Sequence, residues 1–264
     1  MIALLVVAGC ARGGLHSPAL PRAPQRWEVD VLSAVGPRTL EAHYALCTER
    51  TGRDRWRFRT LRTRGEWLDH SGRATYDSDA PQPADPWPLT LQHAVSAVPA
   101  DVVVEEGRPV SLVDADAWRS AAHAAIYAAP VPAEALVVGD QLVDPEGLVD
   151  DLARTFPGVP AEAGAWERRE RLGGVEAVVR EDCAPADDGW ACTGAAEAAP
   201  GAEAKLFEVA TSAAVAVDRQ GLASLTSRYT GTLVTLAPGG HGVADQPISG
   251  IRSVRRTGSC EAAP

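Results

Sequence analysis

The chain has 264 residues, and its 25 basic and 35 acidic residues give a net charge of −10, which disfavours nucleic acid and anionic membrane surfaces as partners. Its hydrophobic fraction of 45% is ordinary for a folded protein and excludes a disordered chain. A chain of this length can form one large domain or two small ones, with a core that needs no metal for stability.

The first ten residues, from Met1 to Cys10, are typical of an export signal. Residues 2–9 are apolar or glycine and carry no charge, and such a run is too short to cross the ~30 Å hydrocarbon core of a membrane. Small residues at its end suit the pocket of a signal peptidase. The run from Val6 to Cys10 resembles the bacterial lipobox, in which one apolar and two small residues precede a cysteine.

This resemblance implies a lipoprotein of the bacterial cell envelope that is cleaved before Cys10 and held at the membrane by a diacylglycerol thioether and a further acyl group such as palmitate. One acyl chain anchors a protein only marginally, so several chains are expected. Ala11 is not the aspartate associated with inner-membrane retention, which favours the outer membrane. The alternative is a buried first strand with a core cysteine. We predict a signal peptide at 1–9, a flexible tether at 10–25 and one domain at 26–264.

The first part of that domain alternates between apolar and polar residues, which predicts strands packed on one face. Such alternation begins at Trp27 and returns at 40–46. In the third strand, at 55–60, every second residue is arginine, and the residues between them are Trp, Phe and Thr. A further strand is predicted to follow the Ser71-Gly72 turn.

The middle of the chain predicts two helices. Asp114 or Asp116 can cap the first, which runs to about Ala128. The second has Asp144 as its N-cap and Pro145 in its first turn, and an apolar residue recurs at every fourth position afterwards.

The last part of the chain is again sheet-like. Gly173-Gly174 and the segment at 218–221 are typical hairpin turns, and a last strand is predicted at 251–256. Strands followed by two helices and more strands predict an α+β fold. We expect one large, twisted antiparallel sheet of roughly ten strands with about two helices packed on one face.

Four cysteines remain after Cys10, and an even number in an exported chain predicts two disulfides. Cys183 and Cys192 flank a turn-rich segment, so we expect them to pair locally. Cys47 is then left to pair with Cys260. The alternative is a zinc site, for which the ligand spacing is unsuitable.

The sequence contains no nucleophile elbow, phosphate-binding loop, zinc-protease helix or dinucleotide fingerprint. Its densest group of candidate acid–base or metal-binding residues is Asp69, His70, Asp77 and Asp79, and His241 lies in a glycine-rich segment. We favour plain polar turns at both places because no regular ligand spacing is present. We therefore predict no metal and no cofactor, and we favour a protein without enzymatic activity while leaving that question open.

Two surface features could bind a ligand. The arginines at 55–59 could form an anion site, but pairing with Glu41 or Glu49 on the neighbouring strand explains them with fewer assumptions. Trp27, Trp56 and Trp67 lie in the predicted strands and could line a pocket for a hydrophobic ligand. The alternative for these tryptophans is core packing.

Two further resemblances lie beyond the signal, one in a short segment and one in the order of elements. The segment from Phe156 to Trp166 is similar to a stretch found in uncharacterised bacterial lipoproteins. The order of elements resembles the half-barrel lipid carriers of the bacterial envelope, in which a curved antiparallel sheet holds helices in its hollow. This resemblance implies a non-enzymatic module that binds a hydrophobic ligand or a partner protein. The alternatives are an envelope hydrolase that uses Asp69, His70 or His241, and a purely structural surface protein.

Overall fold

The computed structural model describes residues 20–69, 72–82, 87–160, 162–202, 204–236 and 242–260. Within these ranges the chain forms twelve strands and four helices. The strands are β1 (Gln25–Val35), β2 (Arg38–Arg50), β3 (Arg55–Asp69), β4 (Gly72–Asp77), β5 (Ala100–Glu105), β6 (Arg108–Leu112), β7 (Gly164–Leu172), β8 (Val175–Ala186), β9 (Gly189–Ala198), β10 (Ala204–Asp218), β11 (Gly221–Leu236) and β12 (Gly242–Gly258). The helices are α1 (Trp87–Ser96), α2 (Ala115–Ala128), α3 (Ala133–Leu142) and α4 (Pro145–Thr155).

All twelve described strands belong to one antiparallel sheet. The strand order is β6-β5-β3-β2-β1-β12-β11-β10-β9-β8-β7, and β4 pairs with the second half of β3. Strand β1 lies near the centre and pairs with β2 on one side and β12 on the other. The first and last strands therefore join the two halves of the sheet directly.

The predicted α+β balance of roughly ten strands and about two helices is wrong, because strands dominate and the four described helices are short. The β5–β6 hairpin lies in the middle of the chain, for which only helices are predicted. Its buried residues nevertheless alternate, and its turn at Glu106-Gly107 has positive φ at both positions, as hairpin turns do. Helix α3 was not predicted because its start carries no capping signal. Its N-cap, Pro132, provides no side-chain hydrogen bond. Its Gly139 lets it pass close to Ile126 of α2, where a Cβ atom would lie 2.9 Å from the isoleucine side chain.

The strands have two different faces. In β1, Trp27 and Val29 point toward the face that carries the helices, which we call the inner face, whereas Asp30 points to the opposite, outer face. Strand β3 follows its predicted alternation, with Trp56 and Phe58 buried on the inner face and the arginines between them on the outer face. The sheet is thus packed on one side and solvated on the other, as antiparallel sheets allow.

The helices cover the inner face of the first half of the sheet. Asp114 and Asp144 cap α2 and α4 as predicted, accepting hydrogen bonds from the backbone N–H groups of Ala117 and Glu146 at 2.9 and 3.0 Å. Helix α4 contacts both β6 and β7, which are the two edge strands of the sheet. Because the two edges meet at one helix, the sheet curves around α4.

The second half of the sheet curls further and closes a smaller core. The β7–β8 hairpin turns at Gly173-Gly174, as predicted, and both glycines have positive φ. The backbone N–H of Gly173 donates to the Tyr229 hydroxyl at 3.2 Å, which holds the turn over β11. Beneath it lies an apolar cluster from β7 to β12 that includes Leu172, Val179 and Ile248.

A row of four charged side chains, which we call the buried charge chain, crosses the inside of this curl. Arg168 binds Glu181 at 2.5 Å and Glu170 at 3.3 Å, and Glu170 also binds Arg252 of β12 at 3.1 Å. The side chains of Arg168 and Glu181 are 2% and 0% exposed. Each charge has a partner, which is the condition under which ion pairs are found in protein interiors.

Helix α1 is fixed to the sheet by a histidine. His93 Nδ1 lies 2.9 Å from the Thr63 hydroxyl of β3, and its ring lies 6.4 Å from that of Tyr76. Burial lowers the pKa of His93, with Asp79 acting in the opposite direction. On the outer face, His43 contacts Asp30 and Glu41, and the hydrogen bond to Asp30 raises its pKa.

Both predicted disulfides are confirmed: Cys47 pairs with Cys260 and Cys183 with Cys192. The first joins β2 to the segment after β12, and the second joins directly opposite residues of β8 and β9. The predicted signal peptide and most of the predicted tether lie outside the described residues. Leu20, within the predicted tether, is 3% exposed and packs into the main core.

We predict that the two disulfides contribute unequally to stability. The Cys47–Cys260 pair spans 213 residues and the Cys183–Cys192 pair spans 9. Loop-closure entropy assigns about 5 kcal/mol to the long loop and about 3 kcal/mol to the short one. Denaturant unfolding of the two double alanine variants should therefore show the greater loss for Cys47/Cys260. An equal or reversed order would contradict this account.

Breaking the buried charge chain should destabilise the fold strongly. Glu181→Leu leaves Arg168 buried without its closest partner, and we expect the free energy of unfolding to fall by about 3–5 kcal/mol. The matched control is Glu167→Leu on the outer face, where the glutamate pairs with Arg180 and both side chains are more than half exposed. That variant should change stability by no more than about 0.5 kcal/mol. Equal losses would show that the buried pair has no special role.

The two histidines should give opposite pH dependences of stability. The folded pKa of His93 lies below its unfolded value near 6.5, so the unfolded state takes up the proton first and stability falls as the pH drops below 6.5. His43 has a raised pKa, so its contribution is complete below the unfolded value and disappears as the pH rises through the folded pKa.

Thermal unfolding of His93→Gln should therefore lose less stability on acidification than the parent protein, whereas His43→Gln should lose more. A parallel response of both variants to pH would contradict the assignment.

Candidate functional site: a cavity between the sheet and the helices

A cavity of about 430 Å³ lies between the inner face of the sheet and helices α1, α3 and α4. Its volume falls in the range of roughly 300–1,000 Å³ typical of small-molecule sites. The floor is formed by strands β12, β1, β2, β3 and β5, and the roof by the helices. The cavity therefore exists because the helices cover this part of the sheet without filling the space above it.

Apolar and polar groups share the lining of the cavity, and the apolar part is slightly larger. Leu46 and Phe58 reach it from neighbouring strands because they occupy inward positions of the alternating pattern. Leu148 and Leu152 reach it from α4, where a spacing of four residues places them on one face of the helix. Val95 contributes from the last turn of α1. These apolar side chains favour contact with a hydrophobic part of a ligand.

One end of the cavity is charged. Arg154 of α4 is 4% exposed, and its Nη1 donates to both carboxylate oxygens of Glu176 at 3.0 Å. Its Nη2 donates to Asp151 at 2.5 Å. Arg171 shares Glu176 at 2.8 Å, and Arg252 reaches the same end from β12. The polar end thus continues into the buried charge chain through Arg252.

The Tyr44 side chain stands between the apolar and the charged parts. Burial raises the pKa of its hydroxyl, and the charges of Arg252 and Asp151 act on it in opposite directions. The hydroxyl is therefore protonated at neutral pH and can donate a hydrogen bond to a bound molecule.

The three tryptophans predicted as ligand-binding residues lie on the inner face but do not line the cavity. Trp27 is fully buried, donates from Nε1 to Thr48 at 2.9 Å, and packs edge-on against Phe156. Trp56 is 5% exposed in the same core, and Trp67 is 39% exposed near the end of β3. The structure thus brings Trp27 and Trp56 into one core and leaves Trp67 apart.

Two arginines of β3, Arg57 and Arg62, pair with carboxylates on the outer face. Arg57 forms a two-pronged contact with Asp101 at 2.8 and 3.0 Å, and it stands opposite Glu49 in the register with β2. Glu41, the other expected partner, binds His43. The solvated-face interpretation of these arginines therefore holds for Arg57, although its closest partner comes from β5.

The structure describes only two of the candidate acid–base side chains, those of Asp77 and Asp79. Asp77 and Asp79 both pair with Arg62, at 2.6 and 2.9 Å, which explains them as an ion cluster on the outer face. The Arg62 hydrogen bond lowers the pKa of Asp77. His70, His241 and the side chain of Asp69 lie outside the described residues.

The described residues were compared with the requirements of a metal site and of a membrane-spanning helix, and they meet neither. Those residues contain no group of three or more His, Cys, Asp or Glu side chains that could hold a metal ion. In the same part of the chain, no helix is long and apolar enough to cross a membrane.

Tyr44 and Arg252 are the cavity residues that sequence reasoning missed. Tyr44 was recognised only as part of a strand pattern, in which any inward residue could be core. Arg252 lies in a strand that was predicted, and its place opposite Val31 in the register puts it on the inner face. An arginine on the inner face of a strand is a signal of a buried polar site. The face on which Arg252 lies depends on the pairing of β12 with β1, which the sequence alone does not give.

Comparison with known proteins gives a likeness of fold. No protein-family model matches the sequence, and no curated protein matches it significantly. Five chains among the solved structures match, and one comes from a structure concerned with lipid–protein interactions in lipovitellin. That chain has a TM-score of 0.50 and 10% sequence identity, and the match covers 92% of this chain and 26% of lipovitellin. At this identity, the chain is similar in fold to about a quarter of the lipovitellin chain.

Proposed function

We propose that the chain is a non-enzymatic binding protein whose cavity holds one hydrophobic ligand. The observation that carries the proposal is the cavity of about 430 Å³, with apolar walls from both the sheet and the helices. The roof is made of short helices, which can part from the sheet at lower cost than strands within the hydrogen-bonded sheet. Lipovitellin, with which the chain shares a fold, supports a ligand of lipid type.

The cellular setting is a second part of the proposal. We propose that acylation of Cys10 anchors the protein in the bacterial envelope, with the outer membrane favoured, and that the binding domain takes its ligand there. The lipobox-like run at 6–10 supports this placement. Intact mass of the protein from its native membrane, compared with that of Cys10→Ala, should show several acyl chains that the variant lacks. An unmodified mass would remove the anchor and leave the cavity proposal intact.

Filling the cavity should abolish ligand binding. Leu148 of α4 lines the cavity, and a tryptophan there would occupy the space that the ligand needs. We expect Leu148→Trp to bind a fluorescent long-chain fatty acid at least tenfold more weakly than the parent, as measured by fluorescence titration of delipidated protein.

The matched control is Val137→Trp on α3. Val137 is 71% exposed and does not line the cavity, so its replacement adds the same ring away from the site. It should bind like the parent, and circular dichroism should show that both variants are folded. Unchanged binding by Leu148→Trp, or no binding by the parent, would overturn the proposed function.

A further inference from the structure

The two ends of the cavity floor are lined by different side chains. From β12 it crosses β1, β2 and β3 to β5, which is four strand spacings or about 19 Å. Arg252 stands at the β12 end, whereas Phe58 and Ala100 line the opposite end beside Arg59 and Thr60. An extended chain with a polar head at Arg252 would lie along Phe58 and Ala100.

The charged end contains hydrogen-bond donors without acceptors. Arg252 uses Nη1 to bind Glu170, and its other two guanidinium nitrogens have no hydrogen-bond partner among the described residues. The hydroxyl of Tyr44 likewise has no hydrogen-bond partner within the described ranges. The Arg252 side chain is 20% exposed, and neither its free nitrogens nor the Tyr44 hydroxyl belong to the fully buried polar atoms without a partner in the described part of the chain, so a molecule in the cavity can reach these donors. An arginine can donate but never accept, which restricts the missing partner to an acceptor.

The carboxylates at this end are already occupied. Asp151 binds Arg154, and Glu176 binds both Arg154 and Arg171. Glu170 is shared by Arg168 and Arg252. A ligand with a cationic head would therefore compete with existing ion pairs. An anionic head would instead accept hydrogen bonds from the donors that have no protein partner. The chemistry at this end selects for a negative charge.

We propose that the ligand is a single-chain amphipath with an anionic head, either a carboxylate or a phosphate monoester, seated on Arg252 and the Tyr44 hydroxyl. Its chain lies across the strands toward Phe58, beneath Leu148 and Val95. This inference rests on the proposed function and adds the class of ligand to it. Arg252 links the ligand to the buried charge chain, which holds the guanidinium in place through Glu170.

Calorimetric titration of the delipidated full chain with four probes tests the head group and the chain separately. The probes are laurate, dodecyl phosphate, dodecyl alcohol and inorganic phosphate. We expect the two anionic amphipaths to bind at least tenfold more tightly than the alcohol, and inorganic phosphate to bind more weakly than dodecyl phosphate by at least as much. The order of laurate and dodecyl phosphate identifies which anion the site prefers.

Three substitutions locate the head group. Arg252→Met removes the charge, Tyr44→Phe removes only the hydroxyl, and Arg252→Lys retains a charge at the same position. We expect Arg252→Met and Tyr44→Phe each to reduce the preference for laurate over the alcohol by about tenfold or more, and Arg252→Lys to retain part of that preference. The matched control is Arg255→Met, which removes an arginine from the outer face of the same strand. If Arg252→Met fails to fold, Tyr44→Phe and Arg252→Lys still give the answer.

The outcomes separate the two proposals. Equal binding of laurate and dodecyl alcohol, unaffected by Tyr44→Phe, would overturn the anionic head while leaving a hydrophobic site. Inorganic phosphate binding as tightly as dodecyl phosphate would overturn the amphipath in favour of a plain anion site. Failure of all four probes to bind would overturn the proposed function itself.

Discussion

The packing of Phe156 determines where the cavity can exist. This residue ends α4, is 1% exposed, and lies 5.1 Å from the ring of Trp27 and 5.6 Å from that of Phe58. Three aromatic rings in contact contribute more than their buried area alone, by roughly 0.5–1.5 kcal/mol per pair. They fix the carboxyl end of α4 on the sheet, so Leu148, two turns earlier in the helix, stands over the floor and forms part of the roof. Trp27, which was predicted to line a ligand pocket, packs against the residue that fixes the end of this helix.

The second constraint is electrostatic and connects the two halves of the sheet. The buried charge chain holds β7 against β12, and its last member, Arg252, is also the residue that reaches the cavity. Charged groups in an interior are costly unless paired, and every member has a partner inside the curl. The same interaction therefore closes the smaller core and places a guanidinium group at one end of the cavity. This arrangement explains why a cavity with apolar walls ends in guanidinium groups.

Much of the local structure followed from the sequence, whereas the site did not. Alternation identified β3, glycine pairs identified the β7–β8 turn, and Asp144 identified the start of α4, because each signal acts over a few residues. The pairing of β1 with β12 joins residues more than two hundred positions apart, and only the Cys47–Cys260 prediction hinted at it. Arg252 and Tyr44 reach the same cavity through that long-range register. Local patterns therefore did not reveal the cavity, whereas they did identify Trp27 and Trp56, which lie in the core.

The most direct test of this account is photo-crosslinking with a fatty acid that carries a diazirine on its chain, followed by peptide mapping of the labelled protein. A ligand in the cavity predicts labels on α4, on α1 and on the inward residues of β2 and β3, with competition by unlabelled fatty acid. Labels confined to the outer face of the sheet, or labelling that excess fatty acid does not reduce, would contradict the claim that this cavity is the binding site.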